Sequence, residues 1–216
     1  DAVNGAAHLS QHPEALKQVT SADDLVLTKT DLAPAETVTA LLAHLQQLNP
    51  TARVHRAVHG SLPPETRHAL LALQSTLTEE SPRPSSPAPL PLPLVPLAAA
   101  AAHASDIQAL ALSFEQPLDW IAFSVWLSML LHAHGERVLR VKGLLNVGAS
   151  GPVVLNGVQH ILHAPEHLAQ WPGPDQRSHL VVIMRGLAAS EVLRSLHAFQ
   201  HVLGAAPSAA LAGPVA

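Results

Sequence analysis

Four residues that follow a short apolar run, Thr28 to Asp31, carry side chains suited to reading a nucleobase. The carboxylate of Asp31 can accept two hydrogen bonds at once, from the N1–H and the exocyclic amino group of guanine. Adenine presents an acceptor and a C–H at the same edge, which would leave a desolvated carboxylate unpaired. A two-point contact of this kind discriminates between bases by about 1–3 kcal/mol. The segment therefore indicates a guanine-binding loop.

Thr28 and Lys29 would support Asp31 in this loop. The aliphatic stem of Lys29 can lie over the plane of the base while its ammonium group stays in water, and the Thr28 hydroxyl can hold the loop in place. The position agrees, because ligands of open α/β sheets bind at the carboxyl ends of strands. Alternatively, the same residues only begin a helix, as ordinary capping residues. The short motif alone does not decide between these interpretations.

The residues around the loop predict alternating strands and helices. An apolar run from Asp24 predicts a strand, and leucines and a valine at helical spacing after Pro34 predict a helix that ends at Asn49-Pro50. A second short strand is predicted over 53–58. This alternation is typical of parallel βαβ units. Only two strands can be read before residue 78, so the sequence predicts a truncated parallel sheet.

A change of composition divides the chain. Residues 79–104 are rich in proline and then in alanine, which predicts an extended, semi-rigid linker. Residues 105–203 predict an α+β domain of the ferredoxin-like type: a strand, a helix from Asp119 to His134, a hairpin around "GASG", a short helix near "PEHLAQW", a strand and a closing helix from Ser190 to Leu203. The uncharged residues 204–216 are predicted to form a disordered tail.

Composition excludes several classes of partner. The chain has 12 Lys and Arg, a net charge of −4 and no cluster of basic residues, so no nucleic-acid surface is expected. It contains no cysteine, which excludes disulfides and thiolate metal sites within these residues. The longest apolar helix candidate, Trp120 to Leu131, is too short to span a bilayer, so no membrane partner is expected either.

The second half carries a more specific pattern. Four segments occur in the order and spacing "LLRxKGxL…GVQ…W…S.LVFIG". They are Leu139-Arg140-Val141-Lys142-Gly143, Gly157-Val158-Gln159, Trp171 and the run from Ser178 to Ile183. Together with the opening "DAVNG" and the "LTKTDL" segment, this pattern resembles the CobW family of GTPases and metallochaperones. The resemblance covers nearly everything from Asp1 to about Leu203.

The resemblance implies a fold and a function. It makes residues 1–78 the last part of a P-loop-type G domain and residues 105–203 the CobW C-terminal domain. It assigns guanine binding to Thr28, Lys29 and Asp31, although the family most often has Asn at the position of Thr28. In the family the phosphate-binding loop, a Cys-x-Cys-Cys motif and a Glu-x-x-Gly switch precede the strand that ends in Asp-Ala. The site for the phosphates of GTP and for Mg²⁺ is therefore expected upstream of this chain, which alone should be inactive.

For the intact protein, the resemblance implies a cytoplasmic GTPase that hydrolyses GTP to GDP and phosphate. The nucleotide cycle would deliver a cargo of Zn²⁺ or Co²⁺ to a client metalloprotein. An alternative is a non-catalytic interaction module that contributes only contacts to a client or to a second copy in a homo-oligomer. An accessory role in activating a metalloenzyme such as nitrile hydratase lies between these two.

Two further groups of residues could serve partners. Among 15 histidines, His8/His12 and His197/His201 have the i, i+4 spacing of helical metal ligands. Some family members place a His just after the Asp-Ala, near their metal site, and this chain has Asn4 there with His8 close by. The resemblance makes His8 a candidate metal ligand, and the alternative is an ordinary surface or capping histidine. Arg140 and Lys142 alternate with apolar residues and leave the same face of one strand. They predict either a solvated face or a contact surface for the client protein or the G domain.

Overall fold

A computed structural model of the chain describes residues 1–68, 106–148 and 151–212. The predicted linker, 79–104, lies outside the described residues. The described ranges contain mixed α/β structure in two sheets, one parallel and one antiparallel. None of the helices in these ranges combines the length and hydropathy that a bilayer-spanning segment requires.

The first half contains the predicted parallel unit. Two short helices, α1 (Gly5–Gln11) and α2 (Pro13–Ser21), precede strand β1 (Asp24–Leu27), helix α3 (Ala35–Leu48) and strand β2 (Arg53–Arg56). β1 and β2 pair in parallel, with Asp24 opposite Arg53 and Leu27 opposite Arg56. Helix α3 makes the crossover between them, and its inner face buries four apolar side chains, those of Val38, Leu41, Leu45 and Leu48.

Asn49 does more than end α3. Its side chain is buried, and its amide donates hydrogen bonds to the carbonyl oxygens of Val19 and Ala22, at 2.8 and 2.9 Å. Its side-chain oxygen accepts from the backbone N–H and the hydroxyl of Thr51. Because a buried amide is stable only when its donors and acceptors are paired, Asn49 ties the start of β2 to the α2–β1 connection and so fixes the base of both parallel strands.

The second half forms an antiparallel sheet. Its elements are β3 (Ile107–Phe114), α4 (Trp120–His134), β4 (Val138–Leu145), β5 (Val153–Val158), β6 (Ile161–Leu162), β7 (Glu166–His167), β8 (Ser178–Arg185), α5 (Ala189–Leu203) and β9 (Pro207–Ala212). The strand order is β6-β5-β4-β8-β3-β9, and β7 pairs with Val153 and Val154 of β5, on the same edge as β6. The predicted hairpin of β4 and β5 is present.

The sheet corrects two sequence predictions. Glu166–His167 is the short strand β7 rather than part of a helix, because the backbone here pairs with Val153 and Val154 of β5. The predicted disordered tail, 204–216, is wrong for Pro207–Ala212, which forms β9 against the free edge of β3. The domain therefore contains two β-α-β units, β3-α4-β4 and β8-α5-β9. Strands β5, β6 and β7 are inserted between these units.

Each face of this sheet packs against a different layer. Helices α4 and α5 cover one face, and their core is formed around Phe114, Phe123 and Trp126. On the other face, Ile107, Leu139 and Ile183 belong to the same hydrophobic cluster as side chains of α1, β1 and α3. The two halves of the chain therefore share a core, although the linker that joins them is not described. The domain division at residues 78 and 105 stays a prediction.

Candidate nucleotide-binding site

The predicted guanine-binding residues lie at the carboxyl end of β1, in the loop that leads to α3. The loop is anchored on both sides. The carbonyl oxygen of Thr28 accepts the backbone N–H of Ala2 at 2.8 Å, and the carbonyl oxygen of Leu27 accepts that of Ala57 at 2.9 Å. The loop is thus held between the N-terminal segment and the end of β2, which leaves its side chains at the edge of the parallel sheet.

Lys29 has a left-handed backbone, with φ at 57°. Its carbonyl oxygen accepts the N–H of Leu32 at 3.2 Å, which closes a tight turn around Asp31. Its ammonium group lies 2.9 Å from Oδ2 of Asp1, whose Oδ1 accepts the backbone N–H of Asn4. Positive φ is uncommon in residues other than glycine, so the turn and the ion pair together restrict where the Lys29 stem can lie.

Asp31 has an imidazole neighbour, His59, from the turn that follows β2. Its Oδ2 lies 3.5 Å from Nδ1 of His59, and its side chain is 21% exposed whereas that of His59 is 81% exposed. The carboxylate is therefore partly shielded but reachable from solvent. Thr28, Lys29 and Asp31 lie on one loop, and the structure adds Asp1 and His59 around them.

His59 lies in a tight turn after β2. The backbones of Val58 and Ser61 exchange two hydrogen bonds, at 2.8 and 3.2 Å, and the two residues between them, His59 and Gly60, have φ of 49° and 72°. Two successive positive φ values define a type I′ turn. Histidine tolerates this conformation better than most residues, and the turn presents its ring at the carboxyl end of β2.

At the opposite, amino-terminal end of β1, Asp24 and the preceding residue Asp23 make separate ion pairs. Asp24 contacts Nη2 of Arg53 at 2.6 Å and Nε2 of His55 at 2.8 Å, both on the neighbouring strand. These contacts reinforce the register of the two parallel strands. Since both partners come from β2, they hold the two strands together at the end opposite the loop.

Asp23 joins the two halves of the chain. Its Oδ1 contacts Nη2 of Arg140 and, at 2.6 Å, Nζ of Lys142. Partial burial alone would raise the pKa of Asp23, but the hydrogen bond and charge of Lys142 and the charge of Arg140 outweigh it and hold this pKa below 3.8. The two basic residues that predicted a contact surface thus contact Asp23 of the N-terminal half.

The predicted histidine pairs belong to other elements than the loop after β1, namely the end of α1 and helix α5. His8 and His12 have ring centroids 4.5 Å apart at the end of α1. His197, on α5, contacts Gln200 through its ring. Within 1–68, 106–148 and 151–212, no three His, Cys, Asp or Glu side chains come together in a group that could hold a metal ion. In the described ranges, His8 and His12 form a pair of neighbouring imidazoles without a third such group beside them.

Sequence reasoning missed three participants. His59 could have been found from "VHGS", because a Gly at the second central position is typical of a type I′ turn and His tolerates positive φ at the first. Asp1 belongs to the opening "DAVNG" of the family pattern, but this pattern does not predict its ion pair with Lys29. Asp23 meets Arg140 across 117 positions of sequence, and no local pattern reports such a contact.

Two family profiles match the chain. Residues 1–56 match the nucleotide-binding domain described as CobW/HypB/UreG, and residues 107–200 match the C-terminal domain of the cobalamin synthesis protein cobW. The first match contains the loop with Thr28, Lys29 and Asp31, and the second contains most of the antiparallel sheet.

One curated protein and two crystal structures are similar over most of the chain. The zinc chaperone YjiA of Escherichia coli (strain K12) is 27% identical over 195 residues, which are 88% of this chain and 55% of YjiA. Two crystal structures of zinc-bound YjiA GTPase, one of a triple mutant, match with a TM-score of 0.66 at 24% identity, over 92% of this chain and 58% of theirs. The fold is thus similar, and the chain spans little more than half the length of these proteins.

Proposed function

Since the chain belongs to the CobW family, we propose that it forms part of a GTP-binding protein that uses GTP hydrolysis to deliver a metal ion to a client protein. The observation that supports this most is the loop after β1, in which Asp31 is reachable at the carboxyl end of a parallel strand. The similarity to a zinc chaperone supports zinc as the cargo.

In this proposal the chain's residues recognise the base. The two oxygens of Asp31 accept the N1–H and the amino group of guanine, and the Lys29 stem covers one face of the ring. The backbone of Thr28, which is anchored by the hydrogen bond from Ala2, holds the loop in position next to the base. This arrangement rejects adenine, because its edge cannot supply two donors to a partly shielded carboxylate.

The phosphates need other residues. Phosphoryl transfer uses a Gly-rich loop with a Lys and a Mg²⁺-binding hydroxyl, and no Gly-x-x-x-x-Gly-Lys-[Ser/Thr] sequence occurs in these 216 residues. When bound, Mg²⁺ would neutralise the charge that develops on the phosphates. The chain described here would contribute base recognition and the contacts of its C-terminal sheet.

A comparison of two proteins tests the proposal. The full-length gene product, with any residues that precede Asp1, is expected to bind GDP more tightly than ADP and to hydrolyse GTP. The purified 216-residue chain is expected to show no GTP turnover above a heat-denatured control. Both are measured by phosphate release and by calorimetric titration of GDP and ADP. A full-length protein that binds the two nucleotides equally would overturn the proposal, and turnover by the 216-residue chain would show that its own residues complete a phosphate site.

We also propose that His8 is a ligand of the cargo metal, with His12 beside it. The ring spacing and the exposure of both residues leave their nitrogens accessible. Replacing His8 with Ala in the full-length protein is expected to weaken Zn²⁺ binding at least about tenfold, since even groups that only orient a ligand cost that much when removed. The matched control is His132→Ala, which changes an exposed histidine of α4 that has no second histidine at i, i+4 spacing. Equal affinity of wild-type and His8→Ala proteins for Zn²⁺ would remove His8 from the site.

A further inference from the structure

The imidazole of His59 faces the carboxylate that the proposed function assigns to guanine. Around the Asp31 carboxylate the described residues place three groups that carry or can carry charge: His59, Lys29 and Asp1. Lys29 is paired with Asp1 at 2.9 Å, so the remaining contact between opposite charges is that of His59 with Asp31, at 3.5 Å. When the imidazole is protonated, this contact is an ion pair.

The backbone keeps this contact available. The turn from Val58 to Ser61 is closed by two hydrogen bonds, and the adjacent Ala57 N–H is bonded to Leu27 at the end of β1. The turn is thus fixed to the strand that carries the guanine loop. The ring itself is largely exposed, so a rotation about its side-chain bonds can move it away without disturbing the fold.

We propose that His59 competes with the base for Asp31, so that protonation of one imidazole regulates guanine binding. This inference rests on the proposed function. A guanine that donates to both oxygens of Asp31 requires the carboxylate to be free, whereas a protonated His59 holds one of these oxygens in the empty site. The base must then displace the ring, and part of the binding free energy is spent on breaking the pair.

The size and sign of the effect follow from the exposure of the pair. Exposed ion pairs are weak, and their strength corresponds to a change of about two- to fivefold in an equilibrium constant. Imidazoles change charge between about pH 5 and pH 8. A protonated ring competes with the base for Asp31, and a neutral ring does not. Guanine nucleotides should therefore bind more tightly as the pH rises.

The test uses GDP as the probe and the full-length protein. Calorimetric titrations at about pH 6 and about pH 8 are carried out on wild type, on His59→Asn and on the control His132→Asn, which changes an exposed histidine of α4. Asparagine accepts a left-handed backbone, so the turn is kept while the charge is lost. The gain in GDP affinity from the lower to the higher pH is expected to be about two- to fivefold larger for wild type and the control than for His59→Asn, because the titration of the GDP phosphate affects all three proteins alike.

The possible outcomes separate this inference from the proposed function. If His59→Asn keeps the pH dependence of wild type, or wild type has none, the inference is wrong while a preference for GDP over ADP still supports guanine binding. If His59→Asn binds GDP more weakly at both pH values, the ring contacts the base directly and does not compete with it. Absence of GDP binding in every protein would overturn both the proposed function and the inference.

Discussion

Replacing Asp23 with Ala is expected to lower the free energy of unfolding by about 3 kcal/mol, because it removes the partner of a buried guanidinium. The Arg140 side chain is only 3% exposed, and its Nε has no hydrogen-bond partner among the described residues. Without Asp23, the positive charges of Arg140 and Lys142 would lie close together where the two halves meet, with no carboxylate between them. Urea denaturation of the full-length protein measures the loss.

Asp175→Ala is the matched control for this experiment. Asp175 is also ion-paired, to Arg177 and His179, but Arg177 is 44% exposed and stays hydrated when its partner is removed. Surface pairs are screened by solvent and contribute little. The control is therefore expected to be far closer to wild type than Asp23→Ala. Equal losses for the two variants would mean that the Asp23 contact does not hold the halves together.

The Asp23 contact also makes stability depend on pH at the acid end. Because the folded pKa of Asp23 is lowered below 3.8, the charged form is favoured by folding. The contribution is complete above the pKa of the unfolded chain and is lost as the pH falls through the lower folded pKa. The stability gap between wild type and Asp23→Ala should therefore narrow below about pH 4, where an ordinary Asp carboxyl becomes protonated.

Local patterns predicted the first half of the fold well. The spacing of Val38, Leu41 and Leu45 defines the buried face of α3, and the alternation of strand and helix predicts the parallel pairing of β1 with β2. Both signals depend on neighbours within one element or one crossover. Helix α4 was predicted for the same reason, and the Asp119 side chain does cap it by accepting the N–H of Ala122.

Pairing between distant residues was not predictable in this way. Strand β9 consists mostly of small side chains without alternation, and it forms because β3 offers it a free edge. Likewise, the loop residues Thr28, Lys29 and Asp31 were found from a motif, but His59 reaches Asp31 from another strand end. The sequence therefore identified the candidate base-reading loop, while the groups that surround it depended on tertiary structure.

The second large effect is expected at Asp31. Asp31→Asn replaces one acceptor oxygen with an NH₂ donor where guanine presents its amino group. Two hydrogen-bond donors would then face each other. Xanthine has a carbonyl at that carbon and keeps its N1–H, which an amide matches with its NH₂ and its oxygen. The variant should lose about 1–3 kcal/mol of binding free energy for GDP and gain affinity for XDP.

Stability should not change in this variant. Asp31 lies in an exposed loop, and its one described ion pair, with His59, is a weak surface contact. The matched control is Glu36→Gln, which removes the same charge from an exposed position in the first turn of α3. It should leave the affinities for both nucleotides unchanged, which separates the loss of charge from the loss of a base contact.

The most direct test of guanine recognition is the ratio of GDP to XDP affinity in the full-length protein, measured by calorimetry for wild type, Asp31→Asn and Glu36→Gln. Wild type and Glu36→Gln should prefer GDP, and Asp31→Asn should prefer XDP while unfolding at the same urea concentration as wild type. A correctly folded Asp31→Asn protein that still prefers GDP with wild-type affinity would contradict the account, because Asp31 would then not read the base.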